Sequence, residues 1–209
     1  GVDRVVVATD SAAIIDAVAD LEVEAVTTRS DLESGTDRVA AVASRAEFAE
    51  YDIVVNLQGD EPFLPLEAVR GAIARVQGGD AIGTAAAPLD AARRHEPSLV
   101  KVVCNERGRA IYFSRSAIPA VRDAEDEVRT AWWQHLGIYV YRRNVLLHLA
   151  ALPPSPLERA ERLEQLRALE AGFTIGVTLL DQPAHPGIDT PDDLAAAEAR
   201  WPDYAEATR

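Results

Sequence analysis

The sequence predicts a single α/β domain over residues 1–209, built on a mixed, mostly parallel sheet with helices on both faces. Three observations predict it. Strand-length apolar runs such as Arg4–Thr9 (RVVVAT) and Ile53–Leu57 are followed by stretches of helical spacing, the alternation that builds parallel sheets. The connections between these runs are short. The chain has 209 residues, 48% of them hydrophobic, enough to bury one large core.

Arg4–Thr9 is a continuous run of the kind that forms a strand covered on both faces. Asp10-Ser11 then offers a cap for a helix with Ile14, Ala17, Val18 and Leu21 at helical spacing. Val23–Thr27 reads as a second strand, and Thr36–Ala46 as a helix with Val39, Val42 and Ala43 on one side. Ile53–Leu57 is a third strand, followed by a helix near Leu66–Val76. After Asp80 the pattern changes. Ile82–Ala87, Leu99–Asn105 and Ala110–Ser114 are strand-like with little helix between them, so antiparallel pairing is expected to begin there. Val121–Thr130 is polar and reads as an exposed loop, and His135–Arg142 (HLGIYVYR) alternates like one strand. Ser155–Gly172 is the clearest helix, with Ser155 at the N-cap, Pro156 at N1, Glu158 at N3 and Gly172 at the far end. Phe173–Leu179 is a late strand. Pro191–Arg200 is a last helix capped by Thr190, and the residues after Trp201 are expected to fray.

Charge excludes some functions. The 21 Lys+Arg against 34 Asp+Glu give a formal net charge of −13, which repels nucleic acids and anionic lipid. No apolar run approaches the roughly 18–20 residues of a membrane span, and Asp3-Arg4 leads straight into a strand rather than a signal peptide. A cytoplasmic protein without membrane insertion is expected. Cys104 is the single cysteine, so no intrachain disulfide is available, and its apolar run Val100–Cys104 predicts an inert buried thiol.

Four groups of residues could carry chemistry. Asn56–Pro62 (NLQGDEP) leaves a strand end, so Asp60 and Glu61 would project into the crevice where α/β sheets bind ligands. Hard carboxylate oxygens there suit Mg²⁺ held with phosphates, although an ordinary turn also favours Asp and Gly. In Gly187–Leu194 (GIDTPDDL), Thr190 can serve as the cap, which leaves Asp189 free to face a ligand; Asp192 and Asp193 satisfy the helix dipole without further function. Ser34–Arg38 (SGTDR) opens a helix whose backbone N–H groups attract anions or polar base edges. Lys101, Arg115, His135, Tyr139, Glu164 and Gln165 form a scattered polar set. Arg115, at a strand end, could clamp a carboxylate, and Gln165 borders the apolar stripe Leu157, Ala160, Leu163, Leu166. Arg159, Arg162 and Arg167 read as partners of the same helix's glutamates at helical spacing.

Taken in order, VATD (7–10), TRSDLESGTDR (28–38), VNLQGDEP (55–62), VKVV (100–103), YFSRSAIP (112–119), HLGIYVY (135–141), SPLERAERLEQLR (155–167) and GIDTPDDL (187–194) resemble the 3-deoxy-manno-octulosonate (KDO) cytidylyltransferases, or CMP-KDO synthetases. Eight short matches in one order over nearly the whole chain are specific where each alone is modest. The resemblance implies a Rossmann-like, glycosyltransferase-A-type fold in a cytoplasmic dimer, with the strand-rich stretch at about 99–142 as the candidate interface. It implies CMP transfer from CTP to KDO with Mg²⁺, for lipopolysaccharide synthesis. By position, Asp60 and Asp189 correspond to the metal ligands, and Gln58, Ser34, Gly35 and Arg38 to the nucleotide side. Arg115, His135, Tyr139, Glu164 and Gln165 correspond to the sugar side, with Arg115 as the carboxylate clamp. HLGIYVY and SPLERAERLEQLR favour KDO over another sugar acid such as sialic acid. The family often carries a histidine where this chain has Leu32, and opens with a strand and a Gly/Arg/Lys-rich phosphate loop ahead of the first match. Residues 1–209 alone are therefore expected to leave a gap in the sheet that exposes unpaired backbone and apolar surface next to Val5–Ala8, and to be nearly inactive, in the limit a module that binds sugar or dimerises without reacting.

Overall fold

The computed structural model describes residues 2–32, 34–127, 129–185, 187–188 and 190–207. Its first part alternates β1 (Val6–Thr9), α1 (Ala12–Val18), β2 (Glu24–Thr27), α2 (Gly35–Ala43), β3 (Ile53–Leu57), α3 (Leu66–Gln77) and β4 (Ile82–Pro88). The second contains β5 (Lys101–Cys104), β6 (Ala110–Ser114), α4 (Ala124–Glu127), β7 (Trp133–His135) and β8 (Ile138–Arg142). The last contains α5 (Arg143–Ala151), α6 (Pro156–Glu161), α7 (Gln165–Glu170), β9 (Ile175–Leu179) and α8 (Pro191–Ala207).

β1 and β2 pair in parallel as a sheet of their own, while the other strands form a seven-stranded sheet in the order β3-β8-β4-β7-β5-β6, with β9 on the free edge of β4. β4 and β9 are parallel, and β3 runs the same way because β8 is inserted antiparallel between β3 and β4. The predicted change of pattern after Asp80 is thus real: β5, β6 and β7 pair antiparallel.

Alternation along β4 builds the core. Ile82 and Ala86 face one cluster with Phe113, Tyr141, Leu146 and Leu166; Ala85 and Ala87 face another with Ala68, Ala72 and Val76 of α3. Helices therefore cover both faces, as expected.

Several expectations change. The run 135–142 is two strands broken at Leu136-Gly137, because the chain passes from pairing β4 and β5 to pairing β3 and β4. The helix expected over 155–172 is also two, since Arg162 takes a left-handed conformation (φ 56°, ψ 48°). The apolar stripe consequently splits: Leu163 and Leu166 are buried, but Leu157 is 39% exposed. Glu158 is buried instead, forming the expected capping box with Ser155 and a two-point pair with Arg167 at 2.8 and 2.5 Å. Its partner lies nine residues away across the break, not at helical spacing. Burial pulls the Glu158 carboxyl up, but the bonds from Arg167 and from the Ser155 N–H outweigh this and hold it below its ordinary value.

The run Arg4–Thr9 is only partly covered, α1 buries no residue, and Ser11 makes no side-chain cap bond. An apolar groove of about 170 Å³ lies between β1 and β3, lined by Val6, Ala8, Val42, Phe48 and Val54 among others. The loop at 121–130 contains the short α4. α8 continues to Ala207 rather than fraying after Trp201, whose ring, with that of Tyr204, packs on Phe63. No helix of the described residues is long and apolar enough to cross a membrane.

Candidate active site

A cleft of about 640 Å³ opens beyond the carboxyl end of β3, and most of the predicted site residues line it. Gln58, Asp60 and Glu61 come from the turn after β3, Arg115 from the end of β6, His135 and Tyr139 from β7 and β8, and Glu164 and Gln165 from the α6–α7 turn and the start of α7. A neighbouring cleft of about 1230 Å³ shares Arg162, Leu163 and Glu164 with it.

Backbone proximity explains how distant segments meet. A side chain at Gly35 would lie 3.0 Å from Gln58 Nε2, so glycine lets the opening of α2 approach the β3 turn. Ser34 caps α2 by accepting from the Asp37 N–H at 3.1 Å. The Ile188 N–H donates to the Asp60 carbonyl at 2.8 Å, and a side chain at Gly187 would come within 3.1 Å of that oxygen. The GIDTPDDL segment is therefore laid against Asp60. Asp189, expected to share a metal with Asp60, lies outside the described residues. Thr190 caps α8 as expected, in a reciprocal arrangement in which Asp193 accepts from the Thr190 N–H at 2.9 Å.

The residues expected on the sugar side are held tightly. The Thr84 hydroxyl donates to the Ile138 carbonyl at 2.6 Å, so it must accept from His135 Nε2–H at 2.9 Å. That fixes the tautomer and leaves Nδ1 as an acceptor. Burial pushes the His135 pKa down to about 3, so the ring is neutral around pH 7. Burial likewise raises Tyr139 well above the ordinary phenol value. Glu164 accepts from the Thr36 N–H at 3.4 Å, which joins the α6–α7 turn to the opening of α2, and Gln165 is buried.

Three predicted residues are engaged in ways the sequence did not indicate. The Arg115 guanidinium donates to the carbonyls of Glu161 (2.9 Å), Pro97 (3.1 Å) and Arg162 (3.5 Å), while the Glu161 carboxylate accepts from the Ser114 hydroxyl and the Arg115 N–H. Lys101 is fully buried and donates to the carbonyls of Glu96, Leu99 and Arg115. Burial lowers its ammonium below the ordinary lysine value. Arg38 bonds Thr28 and pairs with Asp10 at 3.2 Å, tying the ends of β1 and β2 to α2, and is not among the residues lining the cleft. Cys104 is half-buried with its pKa raised by burial to about 11, as expected of an inert thiol.

The cytidylyltransferase family pattern matches residues 1–175. A 3-deoxy-manno-octulosonate cytidylyltransferase of Gemmatimonas aurantiaca is 48% identical over 95% of this chain and 78% of its own length. One from Xanthomonas oryzae pv. oryzae is 48% identical over 96% and 81%. The chain belongs to this family.

A solved CMP:2-keto-3-deoxy-manno-octonic acid synthetase complexed with CTP superposes with a TM-score of 0.88 at 41% identity, over 97% of this chain and 82% of its own. The nucleotide-diphospho-sugar transferase fold is thereby established. HddC from Yersinia pseudotuberculosis, complexed with GMP-PN, shares the fold alone at 11% identity, with a TM-score of 0.63 over 96% of this chain and 80% of its own. In this cytidylyltransferase the cleft also holds residues that local pattern did not assign to a site: Ser98, Gln134 and Arg162. The left-handed turn that places Arg162 had no sequence signal, because glycine or asparagine normally marks one.

The donors suit a magnesium ion in part. The Asp60 carboxylate is exposed at the cleft and makes no hydrogen bond or ion pair among the described residues, as a hard ligand shared with substrate phosphates should.

Proposed function

We propose that this cytidylyltransferase transfers CMP from CTP to KDO, giving CMP-KDO and pyrophosphate for lipopolysaccharide synthesis in the cytoplasm. The observation carrying this reading is the convergence of seven of the eight family segments on one cleft, in a chain 48% identical to relatives of that name. The anomeric hydroxyl attacks the α-phosphorus while pyrophosphate leaves in line. Such transfers rest on positioning and charge neutralisation, so no covalent nucleophile is needed. Ser34, Gly35 and Gln58 frame the nucleotide side, with Arg38 bracing the opening of α2 from outside the cleft; Arg115, His135, Tyr139, Glu164 and Gln165 frame the sugar side. His135, neutral and with Nδ1 unprotonated, can accept a sugar hydroxyl but cannot supply a cation. Asp60 and Asp189 would hold magnesium, which when bound neutralises phosphate charge and acidifies the attacking hydroxyl.

The test is pyrophosphate release by the full gene product carrying these 209 residues, with KDO, N-acetylneuraminate or no sugar acid. KDO should be strongly preferred; equal or greater turnover with N-acetylneuraminate would sink the substrate assignment. Chelation should stop turnover and magnesium restore it. Asp60→Asn should cost on the order of 100-fold or more in turnover, with unfolding stability within about 0.5 kcal/mol of wild type because the side chain is exposed. A homodimer through residues 99–142 is supported by edge strand β6, which presents Ile111 at 60% exposure. Ile111→Arg should shift sedimentation toward the monomer.

A further inference from the structure

His135 forms part of the cleft wall, and Thr84 of β4 lies behind it, fully buried. The Thr84 hydroxyl has one proton, which goes to the Ile138 carbonyl at 2.6 Å, so the 2.9 Å contact with His135 Nε2 makes the ring the donor. The two partners stand on either side of Leu136-Gly137, where the chain leaves β7 for β8. One hydroxyl thus ties both strands together at the break and selects the position of the ring proton. Burial keeps the ring neutral, so a single nitrogen carries that proton. The other nitrogen, Nδ1, makes no hydrogen bond among the described residues. Nor is it one of the enclosed side-chain atoms left without a partner, which are Asn56 Nδ2, Arg75 Nε and Trp132 Nε1 among the described residues. Nδ1 therefore keeps access to the cleft as a bare acceptor. The rings of Phe113 at 5.0 Å and Tyr139 at 5.3 Å restrain the plane of the imidazole without distinguishing its two nitrogens. Packing alone does not call for Thr84 either: the rest of β4 is apolar, and valine has nearly the same shape. What valine lacks is the hydroxyl.

We propose that Thr84 is a positioning residue of the reaction, holding His135 as the Nε2–H tautomer so that the cleft presents a hydrogen-bond acceptor at that point. The acceptor favours a sugar hydroxyl, which can donate. It disfavours a carbonyl, carboxylate or ether oxygen there, whose lone pairs would meet that of Nδ1. The inference rests on the reading above that the co-substrate of CTP is a sugar acid.

Thr84→Val keeps the shape and removes the hydroxyl; Thr84→Ser keeps the hydroxyl and removes a methyl group. Both should be measured in the full gene product, as KM for each substrate, kcat, thermal midpoint and the NMR shifts of the histidine ring nitrogens. The His135 signals are identified by their loss in His135→Asn. In the wild type Nε2 should appear protonated and Nδ1 bare. In Thr84→Val the two shifts should draw together as the proton divides between them, and kcat/KM for KDO should fall about tenfold while KM for CTP stays within about twofold. Thr84→Ser should keep the wild-type tautomer and lose less than about threefold in kcat/KM for KDO. Both substitutions should lower the thermal midpoint, since one leaves the Ile138 carbonyl unpaired and the other leaves a small cavity. Instability alone would therefore affect both variants, and both substrates, alike. Unchanged KDO efficiency in Thr84→Val overturns the proposal, as does an equal loss in the two variants or a loss shared with CTP. A wild-type ring protonated on Nδ1 overturns it without any variant having to fold. Turnover of another sugar acid in place of KDO overturns the substrate assignment alone, because the same comparison is then made with that sugar. Turnover of no sugar acid overturns both.

Discussion

The β1–β2 pair and β4 begin from similar sequence and end in different physical circumstances. RVVVAT reads as the more apolar run, yet Val6–Ala8 are only half-buried, whereas Ile82–Ala87, rich in alanine, are almost entirely enclosed. β4 has β8 and β7 along one edge, β9 along the other, and helices over both faces. β1 has one partner strand, an apolar groove on its other side, and α1, which buries nothing. Burial is thus set by the number of neighbours a strand acquires, not by how apolar it is. The cleft follows the same division, since its predicted sugar-side residues hang from the seven-stranded sheet and the helices packed on it.

If stability resides in that larger sheet, its costliest point is the buried Glu158–Arg167 pair. Arg167→Met would leave the Glu158 carboxylate enclosed without its partner, at a cost of about 3–5 kcal/mol. Replacing both residues with apolar ones of similar volume should recover most of the loss. Urea unfolding of the single and double variants checks this. A single-variant cost below about 1 kcal/mol would show that the pair behaves as a surface bridge and that the α6–α7 region belongs with the looser part of the molecule.

A matched pair of cavities tests the two strands directly. Ile82→Ala should cost about 2–5 kcal/mol, while Val6→Ala, half-exposed beside a groove that already exists, should cost less than about 1 kcal/mol. Amide exchange should agree: protection in β4 should approach the global unfolding free energy, and β1 and β2 should exchange by smaller openings. Equal protection in the two sheets would erase the distinction.

Local signals were legible and distant ones were not. Ser155 with Glu158, and Thr190 before Pro191, announced their helix starts because a cap involves residues only three apart. The strand end at Gln58–Asp60 and the buried Gln165 were likewise readable from neighbours. Arg115, Lys101 and Arg38 were recognised as important polar residues, but the atoms they bind come from elsewhere in the chain or from backbone carbonyls, which leave no mark in side-chain patterning. The same is true of the break at Leu136-Gly137, which reflects a change of partner strands, and of Arg162, whose left-handed backbone is imposed by packing rather than by residue type. Resemblance thus named residues that the fold brings to one cleft, while the contacts each side chain makes had to come from the tertiary structure.

The smallest expected effect concerns pH. His135 sits in β7 of the enclosed sheet, with Thr84 Oγ1 on Nε2, the Phe113 ring edge-on at 5.0 Å and the Tyr139 ring at 5.3 Å. Its folded pKa of about 3 lies below the 6.5 of a free histidine, so the unfolded chain takes the proton first. This group's contribution is therefore intact above pH 6.5 and declines as pH falls toward 3. At pH 5.5 the loss is about 1.3 kcal/mol relative to neutral pH. His135→Asn keeps a donor for Thr84 and removes the titration, so its stability should fall less steeply between pH 7 and 5. Subtracting the two urea-unfolding curves cancels the carboxylates common to both proteins and isolates the histidine. A difference that does not change with pH would mean that the ring protonates in the folded state, and that the sheet around it admits water as readily as the groove beside β1.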